Sequence, residues 1–169
     1  MNYDIFENIY YDNVLALFNL CSENKNNLDN VKINYARYNN YLIEGLNFLI
    51  KLDILKIHNN NIKILSSNYD FKEVLLDRMS KTSNIFFLIQ KYLQHFSKDS
   101  EGNLIFKPNE SYNIMTSSLR NLFISMKIIK HDNSLDTYIL LNENILLKFK
   151  KTIFSPEQLQ KQLEDQRQI

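Results

Sequence analysis

The sequence predicts a mainly α-helical chain with short β-hairpins, an α+β fold in which one helix-then-hairpin unit occurs twice. Two stretches and one compositional fact predict it. Tyr41 to Leu65, YLIEGLNFLIKLDILKIHNNNIKIL, passes from an apolar helical run ending at Leu52 into two short runs of β type. Ser117 to Leu141, SSLRNLFISMKIIKHDNSLDTYILL, repeats the order of helical run, Ile-rich run, polar turn and second apolar run. The fact is that 169 residues hold only Gly 2 and Pro 2, too few for a sheet-rich fold made of tight turns, so Asn takes over the turns.

Taken in order, Ile5 to Cys21 carries Ile9, Val14, Leu15, Leu17, Phe18 and Cys21 near helical spacing and is expected to form the first helix. Ser22 to Asn30 is a polar loop with Asp29 or Asn30 as a cap, and Val31 to Tyr38 forms a short second helix. In the third helix Leu42, Ile43, Leu46, Leu49 and Ile50 make the buried face, leaving Asn40, Glu44, Asn47 and Lys51 outward. Ile54 to His58 and Ile62 to Leu65 alternate apolar and polar around Asn59, Asn60 and Asn61, as a half-buried hairpin requires. Ser67 to Thr82 is a connecting helix capped by Asn68 or Asp70, with the domain boundary near Asp70.

A longer helix follows over Asn84 to His95, then a polar SKDSEGN loop, a short strand at Leu104 to Phe106 and a helical stretch at Glu110 to Met115 beyond Pro108. Thr116 or Ser117 caps the helix that buries Leu119, Leu122, Phe123 and Met126, and the second hairpin turns at Asp132, Asn133 and Ser134. Asn144 to Phe154 is apolar and basic and packs back through Ile145, Leu146, Leu147 and Phe149. Ser155, Pro156 and Gln158 start a last helix with a capping box. Its few apolar positions, Leu159, Leu163 and Ile169, make it a connector towards a further part of a larger protein. The expected domains are 1–69, 70–152 and a linker helix over 153–169.

Composition bounds the function. A formal charge of +1 lacks the strong field of a non-specific nucleic-acid binder, so any DNA contact has to be local. The single Cys21 excludes a disulfide framework and a Cys-based metal site, and its apolar run predicts a buried, inert thiol in a reducing cytoplasm. The start, MNYDIFENIYYD, is acidic and aromatic rather than a secretory signal, and no apolar run reaches the roughly 18 residues of a membrane span, so no membrane association is expected. His58, His95 and His131 have no metal-pair spacing, and Glu44, Asp53, Glu73, Asp77 and Glu101 propose no acid and base acting together. Gly45 lies in a helix and Gly102 in a loop, so no phosphate loop is present. No enzyme activity, metal or cofactor is expected. The tyrosines Tyr10, Tyr11, Tyr35, Tyr38 and Tyr41 sit on helices, which favours packing over base stacking.

Over roughly Val14 to Leu141 the sequence resembles tandem winged-helix regions of bacterial proteins, on the strength of NYLIEGLNFLIKLDILKIHNNNIKIL and its second copy. The resemblance implies two winged-helix domains in tandem, each with its third helix in the major groove of double-stranded DNA and its wing beside the phosphates. It thereby implies a reading face of Ser117, Ser118, Arg120, Asn121, Ser125 and Lys127, with Lys130 at the hairpin start, and a poorer one of Asn47 and Lys51 beside Glu44. Lys148, Lys150 and Lys151 add a small basic cluster. The tail SPEQLQKQLEDQRQI is similar to the linker helix that in some bacterial defence and restriction-like proteins precedes a nuclease-type domain. The function implied is a DNA-binding or target-sensing module that positions a fused or associated effector, as in phage defence. The alternatives are a protein-interaction module in a larger complex and a plasmid replication initiator, and a homodimer is admitted.

Overall fold

The computed structural model describes residues 4–24, 27–35, 41–66, 70–107 and 117–151, together with Lys161 and Glu164. These form an α+β structure with two small antiparallel sheets. The chain divides into two compact units, Ile5–Arg78 and Met79–Ile169 with Met1–Asp4. The expected helix at 110–115 and, apart from Lys161 and Glu164, the one from Ser155 onward lie outside the described residues, as do Asn40, Tyr38 and Asn68.

A 3-10 turn at Asp4–Phe6 leads into the N-terminal unit, where helix α1 spans Tyr11–Glu23, shorter than the expected run from Ile5. Asn8, with φ 61°, turns the chain between them. α2 is Leu28–Tyr35, α3 is Leu42–Lys51, and strands β1, Leu55–His58, and β2, Asn61–Ile64, pair antiparallel from Leu55 opposite Ile64 to His58 opposite Asn61. Asn59 takes φ 54° at the turn, a left-handed conformation that Asn tolerates best after Gly.

Asparagine also caps the ends of α1 and α2 that face each other. Asn27 Oδ1 accepts from Asn30 N at 2.9 Å, so Asn27 rather than Asp29 or Asn30 caps α2. Asn24 closes α1 by donating from Nδ2 to Leu20 O, and its Oδ1 accepts from Asn30 Nδ2. The hairpin tip is fastened to the same place: Asn60 O accepts from Leu28 N and Asn60 Oδ1 from Asp29 N, each at 3.0 Å. Two of the orphan donors at the start of α2 are thereby satisfied from the hairpin turn.

Helix α4, Phe71–Lys81, is capped by Asp70, whose Oδ1 accepts from Lys72 N at 3.1 Å and Glu73 N at 3.5 Å. Phe71 stacks on Phe18 at 4.7 Å and on Tyr11 at 6.0 Å. Arg78 Nε donates to Leu52 O at 2.7 Å, placing a cation at the carboxyl end of α3 where the last carbonyls lack partners.

In the C-terminal unit α5 is Ser83–Leu93, β3 is Ser97–Lys98 and β4 is Leu104–Phe106. α6 is Ser117–Ser125, β5 is Ile129–Asp132, β6 is Thr137–Leu140 and α7 is Asn144–Lys151. The sheet order is β3-β4-β6-β5, with β4 pairing the far strand of the hairpin rather than the near one. The polar stretch expected to be all loop supplies β3 and a tight turn, in which Asp99 Oδ1 accepts from Glu101 N and Asn103 N and Gly102 takes φ 85°. Tyr92 centres the core, with Phe96, Phe106 and Phe123 edge-on at about 6 Å. α7 joins it through Phe149, stacked on Phe86 at 5.6 Å, while Leu147 stays exposed.

The two units share one corner, hydrogen bond for hydrogen bond. In the first, Leu52 N donates to Phe48 O, Asp53 N to Ile50 O, Ile54 N to Leu49 O and Leu65 N to Ile54 O. In the second, Met126 N donates to Leu122 O, Lys127 N to Ile124 O, Ile128 N to Phe123 O and Leu141 N to Ile128 O. This is the Schellman ending, with a left-handed residue just past the helix and an apolar contact across it. Asp53 has φ 56° and Lys127 φ 59°, and the paired side chains Leu49 with Ile54, and Phe123 with Ile128, are fully buried.

One expectation about α3 is corrected. Its buried residues are Gly45, Leu46, Phe48 and Leu49, whereas Ile43 and Ile50, expected in the core, are 69% and 37% exposed. Gly45 explains the rotation: an added Cβ there would lie 2.9 Å from Leu17 Cδ2, so α1 approaches α3 along the side that lacks a side chain.

A left-handed L-residue costs about 1–2 kcal/mol, and Gly escapes that cost. Lys127→Gly should therefore raise stability by up to about 1 kcal/mol in urea titration, the gain reduced by glycine's greater freedom when unfolded, while the β-branched Lys127→Val should lower it.

Candidate nucleic-acid interface

The set of residues expected to form the second reading face is split by the structure. Ser117 and Ser118 lie half-buried in the first turn of α6, and Ser125 turns its hydroxyl inward, donating from Oγ to Leu122 O at 2.7 Å. Arg120 is half-buried too, its guanidinium 5.0 Å from the centroid of the Tyr138 ring on β6. Tyr138 also stacks on His131 at 4.6 Å and on Phe106 at 6.1 Å, and the register sets Phe106, Tyr138 and His131 abreast on one sheet face. Arg120 thus braces the helix against the hairpin through a cation–π contact. The sequence gives no sign of this contact because the partner ring lies on another element.

Asn121, Lys127 and Lys130 are exposed. Lys130 lies opposite Ile139, on the sheet face away from Tyr138 and His131, because successive strand residues alternate faces. It shares that face with Asp132, whose carboxyl is held below the usual carboxylate range, first by the Ser134 hydroxyl and least by the Lys130 charge. His131 Nε2 and Asp136 Oδ1 are 2.9 Å apart near the tip.

In the first unit Asn47 and Lys51 are exposed, as expected, with Glu44 also exposed beside them. The structure adds two residues that the sequence pattern did not single out, Lys56 and Lys63. They face each other directly across β1 and β2 on the solvent face, with His58 and Asn61 on the same side. Like charges set opposite in an antiparallel pair are destabilising. The signal was present in the alternation KIH and NIKI, in which the apolar positions fix the inner face and leave the lysines outside.

Other sites carry less chemistry. Among the described residues no three His, Cys, Asp or Glu side chains are grouped to hold a metal ion, and no helix is long and apolar enough to cross a membrane. An open groove of about 310 Å³ in the C-terminal unit is lined by Leu93, Phe96, Leu104, Leu146 and Phe149, with Lys150 at its edge. Its walls offer apolar surface and no acid–base pair. No protein-family model, curated protein or solved structure matches the chain.

Cys21 is fully buried in α1, and burial pushes its thiol up to about 12. The thiolate is the reactive form, so at neutral pH Cys21 should resist a thiol-specific reagent in native buffer and label at once in denaturant. Rapid native labelling, followed by absorbance, would place the thiol at the surface.

Proposed function

We propose that this chain is a non-catalytic, DNA-binding or target-sensing module of tandem winged-helix type, which positions a fused or associated effector. The observation that carries the reading is the twofold use of one helix, corner and hairpin, each copy with a polar outer helix position and a lysine on the near strand. A helix braced against a hairpin by a fixed corner presents two surfaces to a duplex at once, the helix to base edges and the hairpin to phosphates. The near-neutral whole is compatible with this because local charge suffices: exposed Lys56 and Lys63 on the first hairpin, and Lys127 and Lys130 at the second, the latter offset by Asp132 and Asp136, support the reading.

A second reading, a surface for assembly with another protein, is favoured by one feature of the N-terminal unit. Ile43 stands exposed on the outer face of α3, with Tyr41 exposed at the start of the helix, an apolar and aromatic pairing of the kind found at protein interfaces.

Fluorescence anisotropy with a random-sequence duplex at two salt concentrations separates the readings. DNA binding predicts affinity that falls with salt. It also predicts that a Lys56→Ala/Lys130→Ala double variant has a log–log salt slope shallower by roughly 2, about 0.9 for each phosphate no longer neutralised. Binding that ignores salt, or no binding at micromolar protein, removes the DNA reading and leaves assembly.

A further inference from the structure

The shared corner aligns the units residue by residue without reference to sequence likeness, so the side chains at matching positions can be compared. From Ile43 to His58 against Ser117 to Asp132, identity occurs only at Asn47 with Asn121, Ile50 with Ile124, Ile54 with Ile128, and Lys56 with Lys130. Ile54 and Ile128 are buried in the corner, and packing accounts for them. The other three pairs are on the surface: the asparagines and lysines are exposed, and Ile50 and Ile124 are each 37% exposed. Core positions such as Phe48 with Leu122 and Leu49 with Phe123 keep only their apolar character. Identity is thus concentrated where the fold does not demand it.

Asn and Ile are three apart on their helix in both units, so they are neighbours on one face. Among the described residues, neither Asn47 nor Asn121 commits its carboxamide to a side-chain hydrogen bond. Likewise, neither Lys56 nor Lys130 enters an ion pair. The chemistry of the set is specific. A free carboxamide matches the adenine edge, donor to N7 and acceptor from N6, and an exposed aliphatic group beside it matches the thymine C5-methyl. A lysine on the adjoining strand matches phosphate. The Lys56–Lys63 repulsion is relieved by an anionic partner, which argues for phosphate over a neutral protein face.

We infer that each unit reads A·T base pairs in the major groove of a DNA duplex through Asn47 with Ile50 and Asn121 with Ile124, and that Lys56 and Lys130 hold the backbone. This rests on the DNA-binding reading above and adds the class of sequence recognised. Glu44 in the first unit and Asp132 in the second lie on the same elements and oppose phosphate, so the lysines carry the non-specific part against some resistance.

The test compares two duplexes of equal length, one of A·T pairs only and one of G·C pairs only, by anisotropy with the full chain at two salt concentrations. The A·T duplex should bind roughly tenfold tighter or more, the discrimination a bidentate base contact supplies. Asn47→Ala/Asn121→Ala should abolish that preference and leave the salt slope intact, whereas Lys56→Ala/Lys130→Ala should weaken both duplexes equally and preserve the ratio. Replacing thymine by uracil removes the methyl group and should cost wild type affinity, with little further cost in Ile50→Ala/Ile124→Ala. The Asn and Lys positions are exposed, and circular dichroism with urea midpoints verifies that every variant is folded. Salt-sensitive binding with equal affinity for both duplexes overturns this inference and leaves the DNA reading intact. An A·T preference that survives loss of both asparagines overturns the assignment of residues, and absence of salt-sensitive binding overturns this inference and the DNA reading together.

Discussion

In each half of the described chain, the direction in which a hairpin leaves its helix is set by one backbone hydrogen bond. Ile54 N to Leu49 O, and its counterpart Ile128 N to Phe123 O, close the helix end while the left-handed residue between them turns the chain. The arrangement forces a non-glycine residue into a conformation it disfavours, and that cost is offset by two satisfied carbonyls and a fully buried apolar pair at the bend. Everything proposed for the outer surface follows from this bend, because it determines which helix positions and which strand face look outward together.

The hairpins were legible as elements because alternation of apolar and polar residues fixes the facing, but their turns sit differently from the expectation: Asn61 pairs with His58 and Asp132 with Thr137, leaving Asn59 and Asn60, and residues 133–136, at the tips. α6 was legible for the corresponding reason at helical period: Leu119, Leu122, Phe123 and Met126 are all buried. The face of α3 was misread because every choice among Leu42, Ile43, Leu46, Leu49 and Ile50 satisfies the period, and the deciding residue is the one without a side chain, Gly45 against Leu17. β3 left no trace, since two exposed residues, Ser97 and Lys98, carry no alternation and are paired only because the Asp99 turn folds them onto β4.

The surface was harder to read than the core. Arg120 had the charge and position of a reading residue, yet it is engaged by Tyr138, a ring whose nearness depends on the hairpin's path. Lys56 and Lys63 were hidden by the opposite problem. Each is an ordinary residue in an apolar run, and only the strand register reveals that they stand face to face. Pairwise geometry between elements, which a single sequence does not encode locally, decides both cases. On the outer surface Lys56 and Lys63 stand on the first hairpin, Lys130 stands on the second beside Asp132, and Lys51 stands on α3, while the uncharged Asn47 and Asn121 hold outer helix positions.

Both corners are closed by the same backbone bonds, and native-state amide hydrogen exchange reads those bonds individually. The amides of Ile54 and Ile128 should exchange slowly and with closely similar protection, alongside those of the buried ends of α3 and α6. Exchange of either amide at the rate of an open loop, while its helix remains protected, would contradict the duplicated corner and with it the matching of the two outer surfaces.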